Sequence, residues 1–136
     1  TGLKPDFGPP IDPKDVEKIS SPFAKERKDI PGKSGPHNGI DISANEGTPV
    51  KATDKGQVKS HPNTDGKGNW VEIDHGNGWT TRYYHLKEDP KISGPVEKGA
   101  NIGQVGSTGQ STGSHLHYEE RHNNVPVPPM PYFKKK

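Results

Sequence analysis

Between residues 39 and 121 the apolar positions come in short runs, most of them bounded by glycine, and no stretch keeps the spacing of a long amphipathic helix. The runs occupy 39–43, 48–52, 56–59, 70–74, 80–85, 101–105 and 115–121, and β-branched and aromatic residues are interleaved with polar ones within them. That alternation predicts half-buried strands, and the spacing of the runs predicts an antiparallel sheet. The sharpest local signal is Val71-Glu72-Ile73-Asp74-His75, then Gly76-Asn77-Gly78, then Trp79. A strand, a turn that accepts positive φ and a second strand make a hairpin.

The ends read differently. Residues 1–19 place Pro5, Pro9, Pro10 and Pro13 among charged residues, which predicts an extended linker with a short helical turn near 15–18. Residues 126–131 are rich in proline, and 134–136 form a basic tail. One domain over 20–133 is expected, because 136 residues enclose one core but hardly two. With only 24% hydrophobic residues against 17 Gly and 15 Pro, that domain must be loop-rich and mainly β.

Charge and composition narrow the chemistry. Nineteen Lys and Arg against 17 Asp and Glu leave a net charge of +2, too little for a nucleic-acid surface but compatible with weak attraction to an anionic polymer such as a cell wall. There is no Cys, so any metal must be held by His and carboxylate. No apolar run approaches the roughly 18 residues of a membrane span, and no signal peptide is visible. Because the chain starts at Thr1, a mature form or a module of a longer protein is expected, acting as a monomeric domain.

Among seven histidines, position must separate ligands from structural residues. His115 and His117 stand two apart on a predicted strand, so both imidazoles leave one face with Cα atoms about 6 to 7 Å apart, within reach of one metal centre. Leu116 between them turns to the opposite, apolar side. In His37-Asn38-Gly39-Ile40-Asp41, the two ends would lie about 13 Å apart on a straight strand, too far to share an ion. The chain must bend there, with Gly39 as the flexible position. Two imidazoles and a carboxylate leave one coordination position for water, the mark of catalytic rather than structural zinc.

The same residues resemble the lysostaphin/LytM-type zinc endopeptidases, peptidase family M23. The resemblance runs from Ser21-Pro22-Phe23 to about Phe133 through the His37 to Ile42 block, Gly47-Thr48-Pro49-Val50, the Asp54 to Val58 block, the Ile73 to Gly78 block, Tyr84-His85-Leu86 and Val96-Glu97-Lys98-Gly99. Its most specific block runs from Ile102 to Glu119 and includes the His115-Leu116-His117 motif. The resemblance implies an antiparallel β-sheet with a loop-walled groove, the duplicated hybrid motif fold. It implies one Zn2+ per chain on His37, Asp41 and His117, and catalytic roles for His85 and His115. Which of those two orients or deprotonates water, and which stabilises the oxyanion, stays open. The implied substrate is a peptidoglycan peptide, cut in a stem-peptide cross-link or a glycine-rich bridge. The implied location is extracellular or at the cell wall, or else in a virion. Tyr118 stands where Phe is common, and 25–35 is charged and short of aromatics.

The remaining histidines, His61, His75 and His122, are expected to be structural or solvated. Trp70, Trp79, Tyr83 and Tyr84 are expected to pack on the sheet. The run 106–113 looks superficially like a phosphate loop, but it lacks the G-K-[ST] ending and enters a strand, which argues against nucleotide binding. Two rival readings are a non-catalytic wall-binding or scaffold module of the same fold, and a biotinyl or lipoyl carrier. The first would be expected to have lost ligands that this chain retains. The second needs a modifiable Lys on a hairpin tip, typically between Met residues, and Met130 is the only Met. The flanking loops 25–35 and 61–69 are charged and Gly-rich with no bulky aromatic to narrow the cleft, which favours a stem-peptide cross-link over a glycine bridge.

Overall fold

The computed structural model describes residues 5–21, 39–64, 66–108 and 113–127. Ten strands are found among them: β1 (Lys18–Ser21), β2 (Ile40–Ser43), β3 (Pro49–Lys51), β4 (Gly56–Thr64), β5 (Gly68–Gly76), β6 (Trp79–Leu86), β7 (Ser93–Val96), β8 (Asn101–Gln104), β9 (His115–His122) and β10 (Val125–Val127). Eight build one antiparallel sheet in the order β1-β2-β9-β6-β5-β4-β7, with β10 also on β9, while β3 and β8 pair separately. All seven runs predicted by alternation are strands. β1, β7 and β10 were not foreseen, because they are short and two of them contain proline, which an edge strand tolerates.

The β5–β6 hairpin closes on Asn77 at φ 53 and Gly78 at φ 84. Two successive positive φ values make the turn whose twist matches that of the strands it joins. The β4–β5 connection is tighter than its composition implied. β4 continues to Thr64 and β5 resumes at Gly68, so most of 61–69, read above as a groove-wall loop, is paired strand.

The sheet has one apolar face. Cross-strand register stacks Ile40 on Tyr118, Ile42 on Leu116, Tyr118 on Tyr83, Tyr83 on Val71, and Ile73 on Val58. These side chains are buried and form the core together with Val50, Ile102 and Val105. Residues one position away on each strand must project to the other side. That side carries Asp41, His115, His117, Glu119, Arg121, Arg82, Tyr84, Glu72 and Trp70. A polar chain also threads the buried face: Tyr118 Oη donates to Glu120 at 2.8 Å, and Tyr83 Oη lies 2.9 Å from Thr53 Oγ1 and 2.8 Å from Thr81 Oγ1. Burial pushes the Tyr83 phenol up to about 12, so it stays a neutral hydroxyl in that chain.

The N-terminal segment departs from the expected tether. Phe7 and Ile11 are buried, Gly8 N donates to Thr53 O at 2.8 Å, and Lys51 N donates to Pro10 O at 2.7 Å. Prolines keep this segment extended, but two apolar side chains are enough to fasten it to the domain. Its helical turn lies at Pro13–Asp15 rather than 15–18, because Asp12 caps Lys14 N at 3.2 Å and Pro13 suits the first helical position. The basic tail 134–136 lies outside the described residues.

Candidate metal and catalytic site

Three adjacent strands assemble the site. β9 lies between β2 and β6, with Asp41 opposite His117 on one side and Tyr84 opposite His117 on the other. The alternation along β9 sends His115, His117, Glu119 and Arg121 to this face, while Leu116, Tyr118 and Glu120 go to the core. The sequence therefore places imidazole and carboxylate groups and hydrophobic anchors on alternate residues of one strand.

Asp41 Oδ1 lies 2.8 Å from His117 Nδ1 and 3.8 Å from His115 Nε2. On its other side His117 Nε2 lies 2.8 Å from Glu119 Oε2, and Arg121 Nε donates to Glu119 Oε1 at 2.7 Å. The Tyr84 ring is stacked on His117 at 4.9 Å between centroids and 22° between planes, which fixes the plane of the imidazole. Beside them Arg82 Nε donates to Glu72 at 2.8 Å and its guanidinium lies over Trp70. Lys67 Nζ stands 5.9 Å from both the Trp70 and the Tyr84 rings.

His85 follows Tyr84, and its ring is 4.8 Å from that of His115 and 6.4 Å from that of His117. Its backbone sits at φ 66, in the left-handed region that costs a non-glycine residue on the order of 1 kcal/mol or more. The fold enforces it: His85 N donates to Lys67 O at 2.9 Å, and His85 Nδ1 lies 2.7 Å from Thr108 O. A carbonyl can only accept, so Nδ1 carries the proton and Nε2 of the neutral ring keeps the lone pair. The same reasoning applies to His115, whose Nδ1 lies 3.0 Å from Gly113 O and whose Nε2 faces Asp41. Burial lowers the His85 pKa, outweighing the bond to Thr108, so its neutral form prevails near pH 7.

His117 behaves in the opposite way. Burial works to lower its pKa, but hydrogen bonds and charge from Asp41 and Glu119 outweigh burial and raise it. Glu119 is displaced downward: burial works to raise it, and His117 and Arg121 overcome that. These directions test whether a metal fits. A neutral imidazole donates from one nitrogen only, yet carboxylates stand at both nitrogens of His117. With the proton on Nε2, toward Glu119, the Nδ1 lone pair faces Asp41 Oδ1, and two electron-rich atoms at that separation require a positive centre in common. A proton satisfies them in the metal-free chain. A borderline cation with nitrogen and oxygen preferences, such as zinc, is the other kind of centre that this donor pair suits.

Of the five residues expected at the site, Asp41, His85, His115 and His117 converge as described. His37 lies outside the described residues, and among the described residues no group of three or more His, Cys, Asp or Glu is arranged to hold a metal. Gly39 has a reason other than the bend assigned to it: a Cβ there would collide with the Tyr118 carbonyl and stand 2.8 Å from Glu119 Cγ. Its smallness lets Gly39 itself lie against β9. His61 stacks on Trp70 at 4.1 Å and His122 on Trp79 at 4.3 Å. His75 has Nδ1 2.8 Å from Lys55 O and Nε2 2.8 Å from Thr81 Oγ1. Two residues of the site were not foreseen. Glu119 was visible in principle as the next same-face position of the H-x-H strand. Thr108, which binds His85 through its carbonyl and Leu86 O through its hydroxyl at 2.7 Å, lies in the glycine-rich run and carried no local signal.

The sequence profile of Peptidase family M23 matches residues 35–129. The DD-carboxypeptidase/endopeptidase Mpg of Neisseria meningitidis is 45% identical over 120 residues, covering 88% of this chain and 28% of its own length. A zinc containing peptidase from Vibrio cholerae superposes with a TM-score of 0.82 at 34% identity, over 98% of this chain and 41% of its own. The catalytic domain of the antimicrobial peptidase lysostaphin from Staphylococcus simulans superposes with a TM-score of 0.70 at 34% identity, over 87% of this chain and 92% of its own. The chain thus spans little more than a quarter of the Neisseria relative's length.

Proposed function

Because the chain belongs to peptidase family M23, we propose that it is a zinc metalloendopeptidase domain that hydrolyses peptide cross-links of bacterial peptidoglycan. The observation that carries this reading is the convergence of Asp41 Oδ1, His117 Nδ1 and His115 Nε2, with the His85 ring alongside. His117 and Asp41 would hold the zinc together with His37, as the family resemblance implies. When bound there, zinc supplies a Lewis acid for the scissile carbonyl and a water whose pKa is brought near neutrality.

The chain's own groups do the rest. His85 is neutral near pH 7 with Nε2 as its acceptor, so it can take a proton that an imidazole near its working pH transfers efficiently. His115 carries its proton on Nδ1 toward Gly113, which leaves Nε2 for the reacting centre. The two rings act as a pair in orienting water, moving its proton and stabilising the developing oxyanion, with the division between them open. Thr108 and Lys67 keep His85 in place through its ring and its amide, so no reorganisation is needed as charge develops.

The DD-carboxypeptidase/endopeptidase name of the Neisseria relative supports a stem-peptide cross-link as the bond cut, in preference to a glycine bridge. Such a substrate places the protein's action at the cell wall, whether it is released by a cell or carried on a virion, and as part of a longer protein. Mass spectrometry of fragments released from purified walls of both cross-link types tests this. New termini within stem-peptide cross-links are expected. New termini only inside glycine bridges would contradict the bond assignment, and sugars released without cut peptide would contradict the peptidase reading.

A further inference from the structure

Glu119 is 3% exposed, and a buried carboxylate is retained at such a depth only where it is paired and hydrogen-bonded. Each of its oxygens has one strong partner. Oε1 accepts from Arg121 Nε at 2.7 Å, and Oε2 stands 2.8 Å from His117 Nε2. Arg121 is itself anchored toward Asn124 O and Oδ1 at 3.4 and 3.5 Å. The result is a directed chain on one face, running Arg121, Glu119, His117, Asp41.

Granting His117 the ligand role proposed above, we infer that Glu119, braced by Arg121, is a positioning residue that commits the His117 proton to Nε2 and so reserves Nδ1 for the metal. An ionised carboxylate has no hydrogen to donate, so Glu119 can only accept from Nε2, and once Asp41 and Nδ1 share a cation Nε2 is the nitrogen that carries the ring's proton. Tyr84 sets the plane of the ring and Glu119 sets its direction within that plane, which together leave Nδ1 toward Asp41. The negative charge behind the ring also makes Nδ1 a stronger donor. Neither residue touches the reacting atoms. Arg121 acts through Glu119, and Glu119 acts through His117.

Glu119→Gln makes a sharp test because the amide cannot serve both partners as the carboxylate does. If its carbonyl oxygen accepts from Arg121, its NH2 group faces His117 and favours the ring with the proton on Nδ1, the wrong nitrogen. Zinc affinity is measured by competition with a chromophoric chelator for the wild type, Glu119→Gln and Arg121→Lys, and each protein is melted with and without zinc. Removing a partner behind a metal-bound imidazole weakens metal binding by about 10- to 100-fold, and that loss is expected for Glu119→Gln. A smaller loss is expected for Arg121→Lys, which keeps the charge but gives up the planar guanidinium. A merely structural carboxylate would lower the metal-free and zinc-loaded melting temperatures alike. A positioning residue shrinks the increment that zinc adds, since the stabilisation a ligand confers grows with the logarithm of its affinity. Wild-type zinc affinity and increment in a folded Glu119→Gln would overturn the inference while leaving the peptidase reading intact. If Glu119→Gln does not fold, Arg121→Lys decides by the same two readouts. A folded wild type that binds no zinc would instead overturn the ligand assignment beneath both.

Discussion

Replacing Asp41 or His117 by alanine is expected to strip zinc from an otherwise folded domain and to lower peptide hydrolysis by on the order of 10³-fold or more. The size follows from what is removed. Without a cation held by Asp41 and His117, the pKa of the attacking water returns toward the bulk value of about 15.7, and far less hydroxide is available near neutral pH. The fold survives because both side chains project from the polar face, opposite Leu116 and Ile42, which hold β9 and β2 in the core. Of the two, His117→Ala has the larger local consequence, because it leaves Glu119 with Arg121 alone. Elemental analysis and wall-lysis rates on the same preparations check the outcome. An alanine variant that keeps one zinc per chain would remove that residue from the ligand set.

His85→Ala is expected to do the opposite with respect to metal: zinc is retained and turnover falls by about 10² to 10⁴-fold, the range for loss of a general acid-base group. His85 is held through Nδ1 by Thr108 and stands ring to ring with His115, the other residue to which the family resemblance gives a catalytic rather than a ligand role. Its left-handed backbone fits a side chain that must be aimed, because strained backbone conformations cluster at functional sites. Removing the ring takes away an acceptor that burial keeps neutral near pH 7. His115→Ala is expected to behave alike. If zinc and activity fall together in either variant, that histidine is a ligand and the division of roles drawn here is wrong.

Much of this was legible in the sequence because strand alternation is a two-residue rule. Once 115–121 is a strand, His115 and His117 must share a face and Leu116 must oppose them, and the register with Asp41 follows from pairing β2 with β9. The hairpin at Asn77 and Gly78 was legible for the same local reason. What stayed hidden depends on contacts distant in sequence. Thr108 reaches His85 across 23 positions, and no spacing rule joins them. Phe7 and Ile11 lie among prolines and charges, so composition reads as a tether although their side chains are buried against the sheet. Gly39 looked like a hinge, and its need for close approach to the Tyr118 carbonyl appears only when β9 is beside it. His61 looked like a loop residue because Pro62 follows it, yet the strand continues past both to Thr64.

The most direct test of the central claim is the release of new amino termini from purified peptidoglycan by one preparation measured three times: as isolated, after removal of metal by a chelator with the fold verified, and after return of one equivalent of zinc. Zinc-dependent peptide hydrolysis predicts termini in the first and third measurements and essentially none in the second. Undiminished release by the folded, zinc-free chain would contradict it.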